Sequence, residues 1–198
     1  GEYGIIKNSK GLSIPYNHYK GGLQIPDSLT TAQLESHQQL LAFADYLKQM
    51  HSDLVQFDWD RFEADLNQKM IFESSIPQGY GVGSSGALVA SIYEPYAINR
   101  MTVLENLTPE TLQHLKVIFA AMESFFHGKS SGLDPLNSYL SIPILISSSQ
   151  QIQTTGLPSQ NPEGKGAVFL LDSGQTGETA PMVEIFMENM KQERFSRM

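Results

Sequence analysis

From Thr30 onward, apolar residues fall at helical spacing. Leu34, Leu40, Leu41, Phe43, Ala44 and Leu47 form one stripe, which predicts a helix capped by Thr30 or Thr31 and running to about Met50. Two short strand-like runs precede it, over residues 11–16 and 22–25, separated by residues 17–20 as a hairpin or loop. A short helix over 58–67 and a strand over 69–74 follow. A glycine-rich run over 78–86 leads into an apolar segment, 87–98, of helical length, which Pro95 should kink or shorten. Thr108, with Thr111 close behind, starts a strongly periodic helix to about Phe126. There Pro109 takes the first helical position, Glu110 the acidic first turn, and Gly128 ends the helix. Residues 143–146 and 151–155 read as paired strands, 167–171 as a buried strand, and 178–190 as a closing helix. The patch 147–151 is low in complexity and suits a surface loop. Strands and helices mix without the regular alternation of a doubly wound sheet, so the expected class is α+β.

Charge and composition narrow the function. A net charge of −8 disfavours a nucleic-acid partner, which would need a basic surface. The 198 residues contain no cysteine, which removes disulfides, thiol catalysis and zinc–thiolate sites. No run of about 18 apolar residues and no basic start with an apolar stretch occurs, so neither a membrane partner nor a secretory signal is expected. Cytoplasm is the default location.

Two segments carry candidate chemistry. The first is Ile76-Pro77-Gln78-Gly79-Tyr80-Gly81-Val82-Gly83-Ser84-Ser85-Gly86-Ala87, lying between a strand-like and a helix-like run. Its glycines let backbone N–H groups approach phosphate oxygens closely, and the helix that follows points its positive end at the same place. Ser84 and Ser85 add hydroxyls for a phosphate or a magnesium ion. The run ends without the Gly-Lys-Ser/Thr of a Walker loop, and a plain helix-capping glycine loop remains the alternative. The second segment runs from Glu123 to Leu136. Glu123 lies in a last helical turn, where a carboxylate meets the negative end of the dipole, a position more comfortable for a metal ligand than for a surface acid. Asp134 stands in a Gly/Ser-rich loop, with Ser130 or Ser131 able to bond it. It suits either a catalytic carboxylate or the N-cap of a helix over 136–140. His127 has no evident neighbour to orient it as a base.

Together the two segments resemble the superfamily of galactokinase, homoserine kinase, mevalonate kinase and phosphomevalonate kinase. The family's phosphate loop has a proline, spaced glycines and then Gly-Ser-Ser, matched here by Pro77, Gly79, Gly81, Val82, Gly83, Ser84 and Ser85. Gly86 stands where an alanine is usual, a departure expected to be tolerated. The run His127-Gly128-Lys129-Ser130-Ser131-Gly132-Leu133-Asp134 looks like the His-Gly-x-Pro-Ser-Gly-x-Asp signature of mevalonate kinases, with Ser130 in place of its proline. Glu123 stands eleven positions before Asp134 (134 − 123), at the spacing of that family's metal-binding glutamate. Gly1-Glu2-Tyr3 is similar to a family Gly-Glu-His, and Thr179 matches a threonine near the substrate.

The resemblance implies a kinase fold with a first domain like ribosomal protein S5 domain 2, over 1–148, and the start of a ferredoxin-like domain, over 149–198. It implies ATP and Mg²⁺ as cofactors and a small molecule as acceptor, mevalonate above all, with a homodimer left open. It assigns phosphate binding to residues 77–85, magnesium to Ser85 and Glu123, catalysis to Asp134, and substrate contacts to Glu2, Tyr3, Asp134 and Thr179. The alternatives are a sibling phosphomevalonate, sugar or amino-alcohol kinase, or an inactive homologue used for binding. The family's catalytic lysine would lie on a strand before Gly1, and its late glycine-rich loop has no match after Thr179. An incomplete chain is therefore expected at both ends. Lys129 is the nearest cation to Asp134 in sequence, though a solvated loop lysine fits it better.

Overall fold

The computed structural model describes residues 10–50, 53–77, 79–98, 100–102, 107–148, 151–156, 174, 176–177, 179–192 and 195. In chain order the elements are β1 (Gly11–Ser13), β2 (Gly21–Gln24), α1 (Thr31–Gln49), β3 (Gln56–Phe57), α2 (Trp59–Asn67), β4 (Ile71–Ser74) and α3 (Ser84–Tyr96). There follow β5 (Ala97–Ile98), α4 (Pro109–His127), α5 (Leu133–Leu140), β6 (Ile144–Ser148), β7 (Gln151–Thr154) and α6 (Thr179–Met190). The α+β class holds. The expected strand over 167–171 lies outside the described residues.

Side-chain caps set three of the helix starts. Thr30 caps α1 in a reciprocal pair with Gln33, whose backbone N–H donates to Thr30 Oγ1 while Gln33 Oε1 accepts from the Thr30 N–H. Asp58 caps α2 and Thr108 caps α4 by the same kind of side-chain acceptance. Helix α3 differs, because it is apolar nearly all round. Its residues Leu88, Val89, Ile92, Tyr93 and Tyr96 are all buried, as expected of a central helix. Phe62 of α2 and Phe119 of α4 pack their rings on Tyr96 and Tyr93 of α3, and Phe43 of α1 with Leu115 and Met122 of α4 share the same core, each fully enclosed. Pro95 lies one residue from the end of α3, which then passes directly into β5.

Three antiparallel sheets flank this core: β1-β6-β7, β2-β4 and β3-β5. Residues 17–20 are therefore a loop and not a hairpin, because β1 and β2 pair with different partners. Gly21 explains part of this choice. A Cβ at Gly21 would lie 2.5 Å from Cζ of Phe72, so the bare backbone lets the Phe72 ring of β4 cover β2. Of the patch 147–151, Ser147 and Ser148 end β6 and Gln151 begins β7, while 149–150 lie outside the described residues.

Helix α5 is wedged against both α3 and α4. Its N-cap, Gly132, has φ +73, and a Cβ there would stand 2.2 Å from the Lys116 carbonyl oxygen and 2.7 Å from the Ala120 nitrogen. On the far side, buried Asn137 donates to Ser13 Oγ at 2.9 Å, tying α5 to β1. Gly132→Ala should therefore combine left-handed strain with a backbone clash, lowering stability by about 2–5 kcal/mol in a denaturant titration. Gly128→Ala, also at positive φ but facing open space, should lose only about 1–2 kcal/mol. Equal losses would show that the wedge at Gly132 is not tight.

Candidate active site

The glycine-rich loop is held in shape by three left-handed residues: Gly79 (φ +75), Gly81 (φ +67) and Gly83 (φ +78). Alternation of such residues with ordinary ones turns the chain sharply after Pro77 and delivers it to the start of α3. The Gly79 carbonyl accepts the Gly177 N–H at 2.9 Å, so the segment before α6 touches the loop. Helix α3 begins at Ser84, three residues before the segment expected from sequence. Ser84, Ser85 and Gly86 thus form its first turn, with Gly83 as a cap that offers no side-chain acceptor. The first N–H groups of α3 therefore have no side-chain partner, and the helix dipole adds positive character there. That is the physical make-up of an anion cradle.

Behind this turn lies a buried carboxylate. Glu123, on α4, is 4% exposed. Ser85 Oγ donates to its Oε1 at 2.9 Å, and Ser130 Oγ donates to its Oε2 at a short distance. Ser85 Oγ also lies 3.1 Å from Nε2 of His127. The single Ser85 hydroxyl proton goes to Glu123, so His127 completes the contact as an Nε2–H donor. Burial pushes the Glu123 carboxyl above its ordinary range. The bonds from Ser130 and Ser85 act against that rise, the charge of Asp134 adds to it, and His127 reduces it.

Asp134 completes the group. It is exposed, at the second position of α5, and it is not the cap of that helix. The cap reading is thus corrected: α5 starts at Leu133, and Gly132 in the left-handed conformation turns the chain into it. Nor does either serine bond Asp134. Ser130 turns to Glu123, and Ser131 Oγ accepts the Leu133 N–H at 3.4 Å. What brings Asp134 to the loop is a close approach of backbones. A Cβ on Gly86 would stand 2.7 Å from both the Asp134 carbonyl carbon and the Pro135 nitrogen. A Cβ on Gly83 would lie 3.8 Å from Asp134 Cβ. The carboxylate consequently emerges beside the open N-terminus of α3.

The structure brings together Gly83, Ser84, Ser85, Glu123 and Asp134, with Pro77, Gly79, Gly81 and Val82 on the approach. Glu2 and Tyr3 lie outside the described residues, and Thr179 is placed only as the first residue of α6. Lys129 is exposed at the end of α4. Sequence reasoning missed the roles of His127, which reaches Ser85 from the last residue of α4, and of Ser130, which reaches back to Glu123 past the helix end at Gly128. No local pattern announces either contact. Among the described residues no group of three or more His, Asp or Glu side chains is disposed to hold a metal ion. Magnesium, however, takes one or two carboxylates and completes its shell with phosphate and water, and the Ser85–Glu123 pair of hard oxygen donors fits that demand. A surface cleft of about 310 Å³ between α1 and α2 contains only the Lys48–Glu63 ion pair and its neighbours, and none of these groups.

Residues 41–141, just over half of the chain, match the GHMP kinases N terminal domain. The chain belongs to the GHMP kinase family. The matched stretch begins within α1 and ends just after α5, so it contains the glycine-rich loop, Glu123 and Asp134. No curated protein and no solved structure matches the chain.

Gly86 now has a definite role in this family member. The glycine expected to be tolerated there is in fact required by the packing, since the alanine usual at that place would drive a methyl group into the backbone of α5. Gly86→Ala should lower stability by about 1–3 kcal/mol. Gly22→Ala, where nothing lies within 4 Å, should change it little. Urea titrations of the two variants check this, and a neutral Gly86→Ala would mean that α5 yields easily.

Proposed function

We propose that this protein is an ATP-dependent kinase acting on a small-molecule hydroxyl, with mevalonate the acceptor and 5-phosphomevalonate the product, as in isoprenoid biosynthesis. Membership of the GHMP family implies a small-molecule kinase. The observation that carries the rest is the convergence of three features at one point: the open N-terminus of α3, the buried Glu123 behind it and the exposed Asp134 beside it.

Phosphoryl transfer needs positioning and neutralisation of charge more than covalent chemistry from the protein. In this reading the backbone N–H groups from Gly79 to Ser85 hold the β- and γ-phosphates of ATP. Ser85 and Glu123 would hold magnesium, which when bound neutralises phosphate charge. The present bond from Ser85 to Glu123 would then give way to the cation. Asp134, free of any serine partner, orients the acceptor hydroxyl and takes its proton at a carboxylate oxygen. Glu2, Tyr3 and Thr179 are proposed to contact the acceptor, on the strength of their motif positions. The division at 148/149, between β6 and β7, and a cytoplasmic location belong to the same proposal. No helix among the described residues is long and apolar enough to cross a membrane.

A sibling kinase of the family is the second reading, favoured by Tyr3 and Ser130 standing where the mevalonate kinase pattern has histidine and proline. Full-length protein assayed with ATP and magnesium against mevalonate, phosphomevalonate and galactose separates the two. The expected result is fastest turnover of mevalonate. Preference for another acceptor transfers the assignment to a sibling, and no turnover of any acceptor leaves a binding module.

Asp134→Asn should lower kcat by about a hundredfold or more with ATP affinity nearly kept. It should cost at most about 1 kcal/mol of stability, because the lost charge sits in a helical first turn. Wild-type turnover in a stable variant contradicts the catalytic role. Glu123→Gln should keep the fold and raise the magnesium concentration needed for half-maximal rate. An unchanged magnesium requirement would make Glu123 a structural acid.

A further inference from the structure

The signature that this chain otherwise follows has a proline where Ser130 stands, and the hydroxyl makes contacts that a proline has no group to make. The Gly132 N–H donates to Ser130 Oγ at 3.0 Å, and Ser130 in turn donates to Glu123 Oε2. Ser85 donates to the other oxygen, Oε1. Each oxygen of the buried carboxylate therefore has its own donor, from opposite sides. A buried carboxylate with one oxygen unpartnered would be costly and free to rotate about its last bond. The relay also begins at the N-cap of α5, so one chain of hydrogen bonds links the helix that bears Asp134 to Glu123.

We propose that Ser130 is a positioning residue of the magnesium site. By occupying Oε2 it fixes the plane of the Glu123 carboxylate and keeps Oε1 turned toward Ser85 and the first turn of α3. In this chain a hydroxyl takes over a position where the family pattern has a rigid ring. The inference rests on the reading of Glu123 as a magnesium ligand.

Calorimetric titration of ADP into the full-length protein, with magnesium and with EDTA, tests it without reference to turnover. Partners behind a metal ligand typically change metal affinity by about 10–100-fold. Ser130→Ala should accordingly weaken ADP binding in magnesium by about tenfold or more and leave binding in EDTA unchanged. Ser130→Thr, which keeps the hydroxyl, should restore most of the affinity. Thermal melts of both variants check the fold, and if Ser130→Ala melts early, Ser130→Cys provides the second deletion of the hydroxyl. Wild-type affinity in magnesium for the Ala or Cys variant overturns the proposal. So does an equal loss in magnesium and in EDTA, which would mean a general role in loop structure. If the wild-type protein itself binds ADP equally with and without magnesium, the magnesium reading of Glu123 fails, and the positioning role falls with it.

Discussion

The contact between the first turns of α3 and α5 is the constraint on which the rest of the site depends. At Gly86 the two helices meet backbone to backbone, with no room for a methyl group between them. That approach exists only because α5 is held from behind, where Gly132 lets its cap sink against the Lys116–Ala120 turn of α4. Two glycines, one on each side of α5, thus fix the position of Asp134 relative to the loop. Asp134 itself contributes little to this: its carboxylate is exposed, and the backbone around it does the positioning.

The same packing creates the need for a polar network. Glu123 lies on α4 behind the α3 turn, and its burial opposes its charge. Serine hydroxyls from two different elements, with an imidazole behind one of them, offset that cost. A buried carboxylate with two serine donors, beside uncapped helix N–H groups, combines a cation-binding with an anion-binding element. Magnesium–nucleotide recognition calls for both.

Much of the fold was legible because its signals are local. The Thr30, Asp58 and Thr108 starts, the Gly128 stop and the apolar stripe of α1 each depend on residues within a few positions of one another. The strand pairings were less so: β1 finds β6 and β2 finds β4 across long separations, and residues 17–20 stayed open between hairpin and loop because two strand-like runs flank them. In the site, Ser85, Glu123 and Asp134 were marked by motif and spacing, and three of the loop glycines have positive φ, which only their residue type makes easy. That Gly86 is required and not only tolerated was not legible, because its constraint comes from α5, far away in sequence. Ser130 and His127 were missed for a similar reason. Ser130 meets Glu123 past the end of α4 and His127 meets Ser85 on α3, so the path of the chain, and not the spacing of residues, decides who meets whom.

The most direct test of the central claim is a crystal structure of the full-length protein with magnesium and a non-hydrolysable ATP analogue. The account predicts the β- and γ-phosphates at the N–H groups of the first turn of α3, the metal between Ser85 and Glu123, and Asp134 facing the terminal phosphate. Phosphates bound away from that turn, with Ser85 still bonded to Glu123 and no metal between them, would contradict it.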